Sequence, residues 1–97
     1  MRLAGFIWLE EFVDKLATKH AVQTEEVEQI FLHAPYMTKS ERGHVRGEDL
    51  YRALGQTDDG RRLAVFFVLK HSGRALVISA REMQAAERRE YERHKTR

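Results

Sequence analysis

The side chains best suited to chemistry in this chain are histidines and arginines. His20 directly follows Lys19, and basic residues gather again at Arg42-Gly43-His44-Val45-Arg46, at Arg61-Arg62, and from Arg88 to Arg97. An imidazole with an ordinary pKa of about 6.5 exchanges a proton near neutrality. The planar fork of an arginine binds two phosphate oxygens at once. Such a set suits proton transfer beside an anionic centre. Other chemistries are excluded or disfavoured. The chain has no cysteine, so it has no thiolate nucleophile, disulfide or cysteine-based zinc site. No two of its five histidines stand at a close helical ligand spacing such as His-x-x-x-His, so a metal site is not expected. There is no Gly-rich phosphate loop and no Ser nucleophile elbow. His33, His44, His71 and His94 read as surface residues.

The elements that must position these groups belong to a small chain. Its 97 residues fit a single domain over 1–97, with no room for a second core. A hydrophobic content of 42% is ordinary for a globular protein, and 33% charged residues give a well-solvated surface. One proline and no low-complexity tract leave no sign of a linker. The net charge of +2 does not by itself establish nucleic-acid binding, so local placement matters more. From Arg88 onward Glu90 and Glu92 interleave with arginines, which also describes a solvated helix with i,i+4 pairs. The segment Met1 to Glu11 lacks the apolar core of a signal peptide. The longest apolar run, Leu63 to Leu69, is too short for a bilayer. A soluble cytoplasmic protein is expected.

Phe6, Ile7 and Trp8 predict a short strand. Leu9, Phe12, Val13 and Leu16 then recur at helical spacing, and Lys19-His20 suits that helix's C-terminus, where the dipole favours cations. Trp8 and Phe12 read as core residues by this periodicity. A second helix is predicted from an N-cap at Thr24, with Glu25 and Glu26 in its first turn and Pro35 stopping it. Tyr36 to Lys39 predicts an edge strand and Arg42 to Gly47 a polar loop. Leu50 to Gln56, Leu63 to Leu69 and Ala75 to Ser79 predict three further strands, with Asp58-Asp59-Gly60 and Ser72-Gly73 as turns. The middle one is apolar on both faces and should be central. A last helix is expected from Arg81 or Glu82 to about His94, too polar for deep burial. The order is β-α-α-β-β-β-β-α, an α+β fold with an antiparallel sheet packed against the two early helices.

Several pieces together carry a resemblance. They are Phe6-x-Trp8 with Lys19-His20; Glu48-Asp49-x-Tyr51-x-Ala53-Leu54-Gly55-x-Thr57; Gly60-Arg61; Val77-Ile78-Ser79-Ala80-Arg81-x-Met83; and Glu87-Arg88-x-x-Tyr91. In this order the chain resembles the BrnT-type toxins of bacterial type II toxin–antitoxin systems, which have a RelE-like fold. The resemblance implies a ribonuclease that inhibits translation, with RNA as substrate and a cognate antitoxin as partner. That antitoxin would be of ribbon-helix-helix type, binding the operator as a complex; a homodimer is a further assembly to consider. No cofactor is implied. The family's basic site carries over to Lys19, His20 and Arg81, and less directly to Arg42, Arg46 and Arg61. Three positions depart from the family pattern. Ala21 replaces the Gly that often follows Lys-His, while Leu76 and Glu82 stand where many members carry basic residues.

Metal-independent RNA cleavage needs a base for the 2′-OH, cations for the phosphorane and an acid for the leaving 5′-oxygen. His20 suits acid or base, Glu48 is a second candidate base, and Arg81 and Lys19 would hold phosphate oxygens. This requires Lys19-His20 to face Arg81. Plainer readings stand beside it. His20 falls on the apolar stripe four residues after Leu16, as a half-buried structural histidine would. Lys19 suits a helix C-terminus, and Arg81 has Glu82 and Glu87 nearby in sequence. The competing function is a catalytically weak homologue serving as a protein-binding, regulatory module of the toxin–antitoxin complex. Direct DNA binding is disfavoured, since nothing resembles a helix-turn-helix.

Overall fold

A computed structural model describes residues 2–41 and 48–95. Its elements run β1 (Gly5–Ile7), α1 (Glu10–His20), α2 (Thr24–Leu32), β2 (Tyr36–Glu41), β3 (Leu50–Gln56), β4 (Arg62–Leu69), β5 (Arg74–Glu82) and α3 (Ala85–Lys95). The strands form one five-stranded sheet in the order β1-β5-β4-β3-β2. The apolar strand β4 is central, as its composition requires. The four later strands pair antiparallel, but β1 joins the edge parallel to β5, with Gly5 opposite Arg74. The sheet is therefore mixed rather than antiparallel throughout. Two helices separate β1 from the other strands in sequence, so no hairpin fixes its direction.

Helices α1 and α2 cover one face of the sheet. Leu16, Val22, Val27 and Ile30 meet Ala53, Leu63, Val65, Phe67, Val77 and Ala80 there. Helix α2 begins one residue from the expected position. Gln23 is the N-cap and Thr24 the first helical residue, because Gln23 and Glu26 form a reciprocal capping box. The Gln23 N–H donates to Glu26 Oε1 at 3.0 Å. Helix α2 ends at Leu32, ahead of Pro35.

Helix α3 lies on the opposite face, where Met83 and Tyr91 close over Leu54 and Ala64, flanked by Tyr36 and Phe66. It starts later than expected. Arg81 and Glu82 stay in β5, paired with Ala64 and Leu63 of β4, and the helix begins at Ala85.

One irregularity decides which side chains share a face. Phe67 pairs with Val77 but Phe66 pairs with Ser79, so Ile78 is an extra residue in β5. A bulge of this kind shifts the alternation by one. Ala75 and Val77 face α1 and α2; beyond the bulge Ala80 and Glu82 take that face, and Arg81 turns towards α3.

Candidate functional site

Lys19 and His20 close α1, and Ala21 follows in the left-handed conformation (φ 53°) that ends the helix. The turn is clamped from outside. Arg61, just before β4, donates from Nη2 to the His20 carbonyl at 3.1 Å and from Nη1 to the Ala21 carbonyl at 2.7 Å. The same guanidinium donates to Glu26 at 3.1 Å and, through Nε, to Glu82 at 3.0 Å. Its partial burial would make the proton easier to lose. The hydrogen bonds and charges of Glu26 and Glu82 outweigh that and hold its pKa above the ordinary value. Arg61 thus braces the loop that carries His20, with all three guanidinium nitrogens engaged inside the protein. Among the described residues, the half-buried His20 ring and the exposed Lys19 ammonium make no hydrogen bond or ion pair.

Arg81 belongs to the same end of the sheet but to its other face. Its guanidinium grips Glu87 with two hydrogen bonds, 2.7 and 3.0 Å, and lies 5.3 Å from the Phe66 ring centroid. Glu87 is 7% exposed. Burial alone would raise its pKa, but Arg81, the Gln84 N–H at 2.8 Å and the charge of Arg52 more than offset this and leave it below the ordinary value. The structure therefore brings Lys19, His20, Arg61 and Arg81 to one end of the sheet without making Arg81 face His20. On the α1 side that place is taken by Glu82. A cleft of about 330 Å³ at this end, lined by Gly60, Arg61, Arg62, Glu82, Met83 and Arg88, joins the two sides.

Glu48 lies elsewhere. It sits beside the β4–β5 turn, where its carboxylate accepts from Lys70 Nζ at 2.8 Å and from the His71 N–H at 3.4 Å. The Lys70 bond holds its pKa below the ordinary value, against the raising effect of burial. The length of β4, roughly 25 Å at about 3.3 Å per residue, separates it from the His20 end. Arg42 and Arg46 fall outside the described residues. The sequence does not mark Arg52 or Arg62 as a site residue, and it shows Arg88 only within a basic run and the Glu87-Arg88-x-x-Tyr91 motif. Arg62 was visible only as part of a basic pair, and nothing in the alternation of β3 marks Arg52 as special. A larger cleft, about 830 Å³, lies between the end of α2 and α3. His33, bonded to Asp58 at 2.6 Å, and His94, stacked on Tyr36, line it.

A sequence-family model described as the ribonuclease toxin BrnT of type II toxin–antitoxin systems matches residues 8–87. The chain belongs to the BrnT family. The match runs from Trp8 to Glu87, and so contains Lys19, His20, Arg61 and Arg81, the basic groups gathered at the sheet's end. BrnT membership makes this a ribonuclease toxin with a cognate antitoxin as partner. A search of curated proteins gave no significant match. No helix among the described residues is long and apolar enough to cross a membrane.

Proposed function

We propose that this BrnT-family chain cleaves RNA without a metal and thereby inhibits translation, until its antitoxin masks it. The reaction is placed at the end of the sheet that carries His20. The observation supporting this is the His20 ring and Lys19 ammonium, unpaired among the described residues and held on a turn that Arg61 braces, beside a cleft rich in arginine. His20 takes the 2′-OH proton as that oxygen attacks phosphorus and returns a proton to the 5′-oxygen as its bond to phosphorus breaks, leaving a 2′,3′-cyclic phosphate. Lys19 holds phosphate oxygens beside His20 and stabilises the charge that develops on phosphorus, while Arg81, on the other face, holds the incoming strand. Arg61 acts through His20 as a positioning residue. Glu48 has no part in this arrangement, and its ion pair with Lys70 makes it a poor base.

Two observations favour a second reading, in which the chain is a weak nuclease kept as a partner-binding module. Glu82 puts a carboxylate inside the basic cluster, and Glu87 neutralises Arg81. The test is tight induction of wild type and His20→Ala in a bacterial host, followed by growth and RNA integrity. Growth arrest with fragmented RNA, abolished by His20→Ala at equal protein level, is expected. Normal growth and intact RNA with soluble wild-type protein would sink the nuclease and leave the binding module.

A further inference from the structure

The face of the sheet under α3 carries three arginines, one from each of the three central strands: Arg52 on β3, Arg62 on β4 and Arg81 on β5. Each is met by a carboxylate of α3. Arg52 Nη2 lies 2.8 Å from Glu90, Arg62 Nη2 lies 2.5 Å from Glu92, and Arg81 holds Glu87 in a fork. Glu87 also approaches Arg52, at 4.0 Å. Near the end of the helix, His94 stacks on Tyr36 and Lys95 Nζ donates to Gln56 at 2.9 Å. The helix's only apolar residue buried against the sheet is Tyr91.

As a device for stability this arrangement is poor. Half-buried ion pairs hold the helix against a desolvation cost, and apolar residues at the same positions do as well or better. As a counter-ion arrangement it is coherent. Three guanidinium groups spread across a sheet, with Phe66 beneath one of them, match the repeating charge and planar bases of a single RNA strand. Three carboxylates along one helix stand where the phosphates would lie. The Arg52 Nε is buried and has no hydrogen-bond partner among the described residues, so the helix satisfies this guanidinium only in part.

We propose that Arg52, Arg62 and Arg81 form a track for the phosphodiester backbone of RNA, and that α3 occupies this track in the free protein through Glu87, Glu90 and Glu92. RNA displaces the helix by exchanging phosphate for carboxylate. The strand then passes over the end of the sheet, by the cleft at Arg62 and Arg88, towards His20. This rests on the ribonuclease reading for the identity of the ligand.

The experiment uses the full chain, which has no cysteine of its own. The rings of Tyr36 and His94 stack with centroids 3.6 Å apart. In Tyr36→Cys with His94→Cys, a short linker joined to both thiols through disulfides therefore ties α3 to β2 when oxidised and frees it when reduced. Both forms are titrated with a labelled 2′-O-methyl oligouridylate, which binds without being cut, across a range of salt. The oxidised form should bind about tenfold more weakly or worse. The reduced form should show a salt dependence of log K steeper by about 2, since three phosphate contacts on a single strand contribute about 0.7 each. Equal affinities and equal slopes would overturn the proposal. A second variant, Glu87→Gln with Glu90→Gln and Glu92→Gln, removes the competing carboxylates and should bind more tightly than wild type. A folded triple variant that binds no better counts against the track. Unmodified RNA is assayed separately: if wild type fails to cut it, the cleavage reading falls while the comparison of oxidised and reduced binding still stands.

Discussion

The ring of His20 and its backbone have separate duties. Its carbonyl, with that of Ala21, anchors the α1 turn to Arg61, while its imidazole takes no part in that clamp. Replacing the ring should therefore remove proton transfer and spare the turn. Purified His20→Ala is expected to cut RNA about 10²–10⁴-fold more slowly. Its melting temperature should shift by no more than a few degrees, because only a half-buried ring is lost. A collapse of the fold in this variant would mean that the ring is structural. The neighbouring residue yields an opposite expectation. Ala21 holds φ at 53°, a region that costs a residue with a Cβ about 1–2 kcal/mol. Ala21→Gly relieves that strain but makes the unfolded chain looser by about 0.5–1 kcal/mol. A net gain of up to about 1.5 kcal/mol should raise the melting temperature by several degrees, read by thermal denaturation. The sequence showed Lys19-His20 at a helix end because a cationic pair there obeys the dipole. It did not show the face of Arg81. Counting by two from Ala75 and Val77 puts Arg81 on the α1 side, and only the extra residue at Ile78 turns it away.

At the scale of elements, α2 packs close against β3, and the approach depends on Gly55. A Cβ built at Gly55 would stand 2.9 Å from Ile30 Cβ and 3.4 Å from the Ile30 carbonyl oxygen. Ile30 is fully buried and packed on all sides, so neither partner can move cheaply. Gly55→Ala should destabilise the protein by about 1–3 kcal/mol through overpacking, measured by urea unfolding at unchanged m-value. A neutral result would show that α2 can lift from the sheet. Element types and order were legible because each depends on local signals: the 3.6-residue period of α1 and α2, the doubly apolar β4, and the turns at Asp58-Asp59-Gly60 and Ser72-Gly73. The pairing of β1 was not, since a parallel partner some seventy residues away leaves no mark in three residues of strand. The start of α3 was misplaced for a related reason. Arg81 and Glu82 have good helix propensity, but their ladder with Ala64 and Leu63 overrides it.

Over the whole molecule, the two faces of the sheet are held by different forces. The α1–α2 face is an apolar core, with Trp8 at its margin donating to Glu28 at 2.9 Å. The α3 face depends on Tyr91, Met83 and carboxylates paired with arginines. Acid should therefore release the second face before the first. Glu87 decides the sign. Its folded pKa lies below the ordinary 4.5, so its contribution to stability is complete above that value and is lost as pH falls through the lower folded value. Protonation removes the charge that Arg81 and Arg52 hold, and the Arg81 fork keeps a weaker, neutral acceptor. Hydrogen exchange followed from pH 6 down to 3 should show α3 amides losing protection below about 4.5, while Trp8 fluorescence still reports an intact α1–α2 face. Glu87→Gln should weaken the pH dependence of that step and lower the protection of α3 at pH 6. If α3 and Trp8 respond together at one pH, the two faces unfold as a single unit, and ion pairing to the sheet does not set the stability of α3.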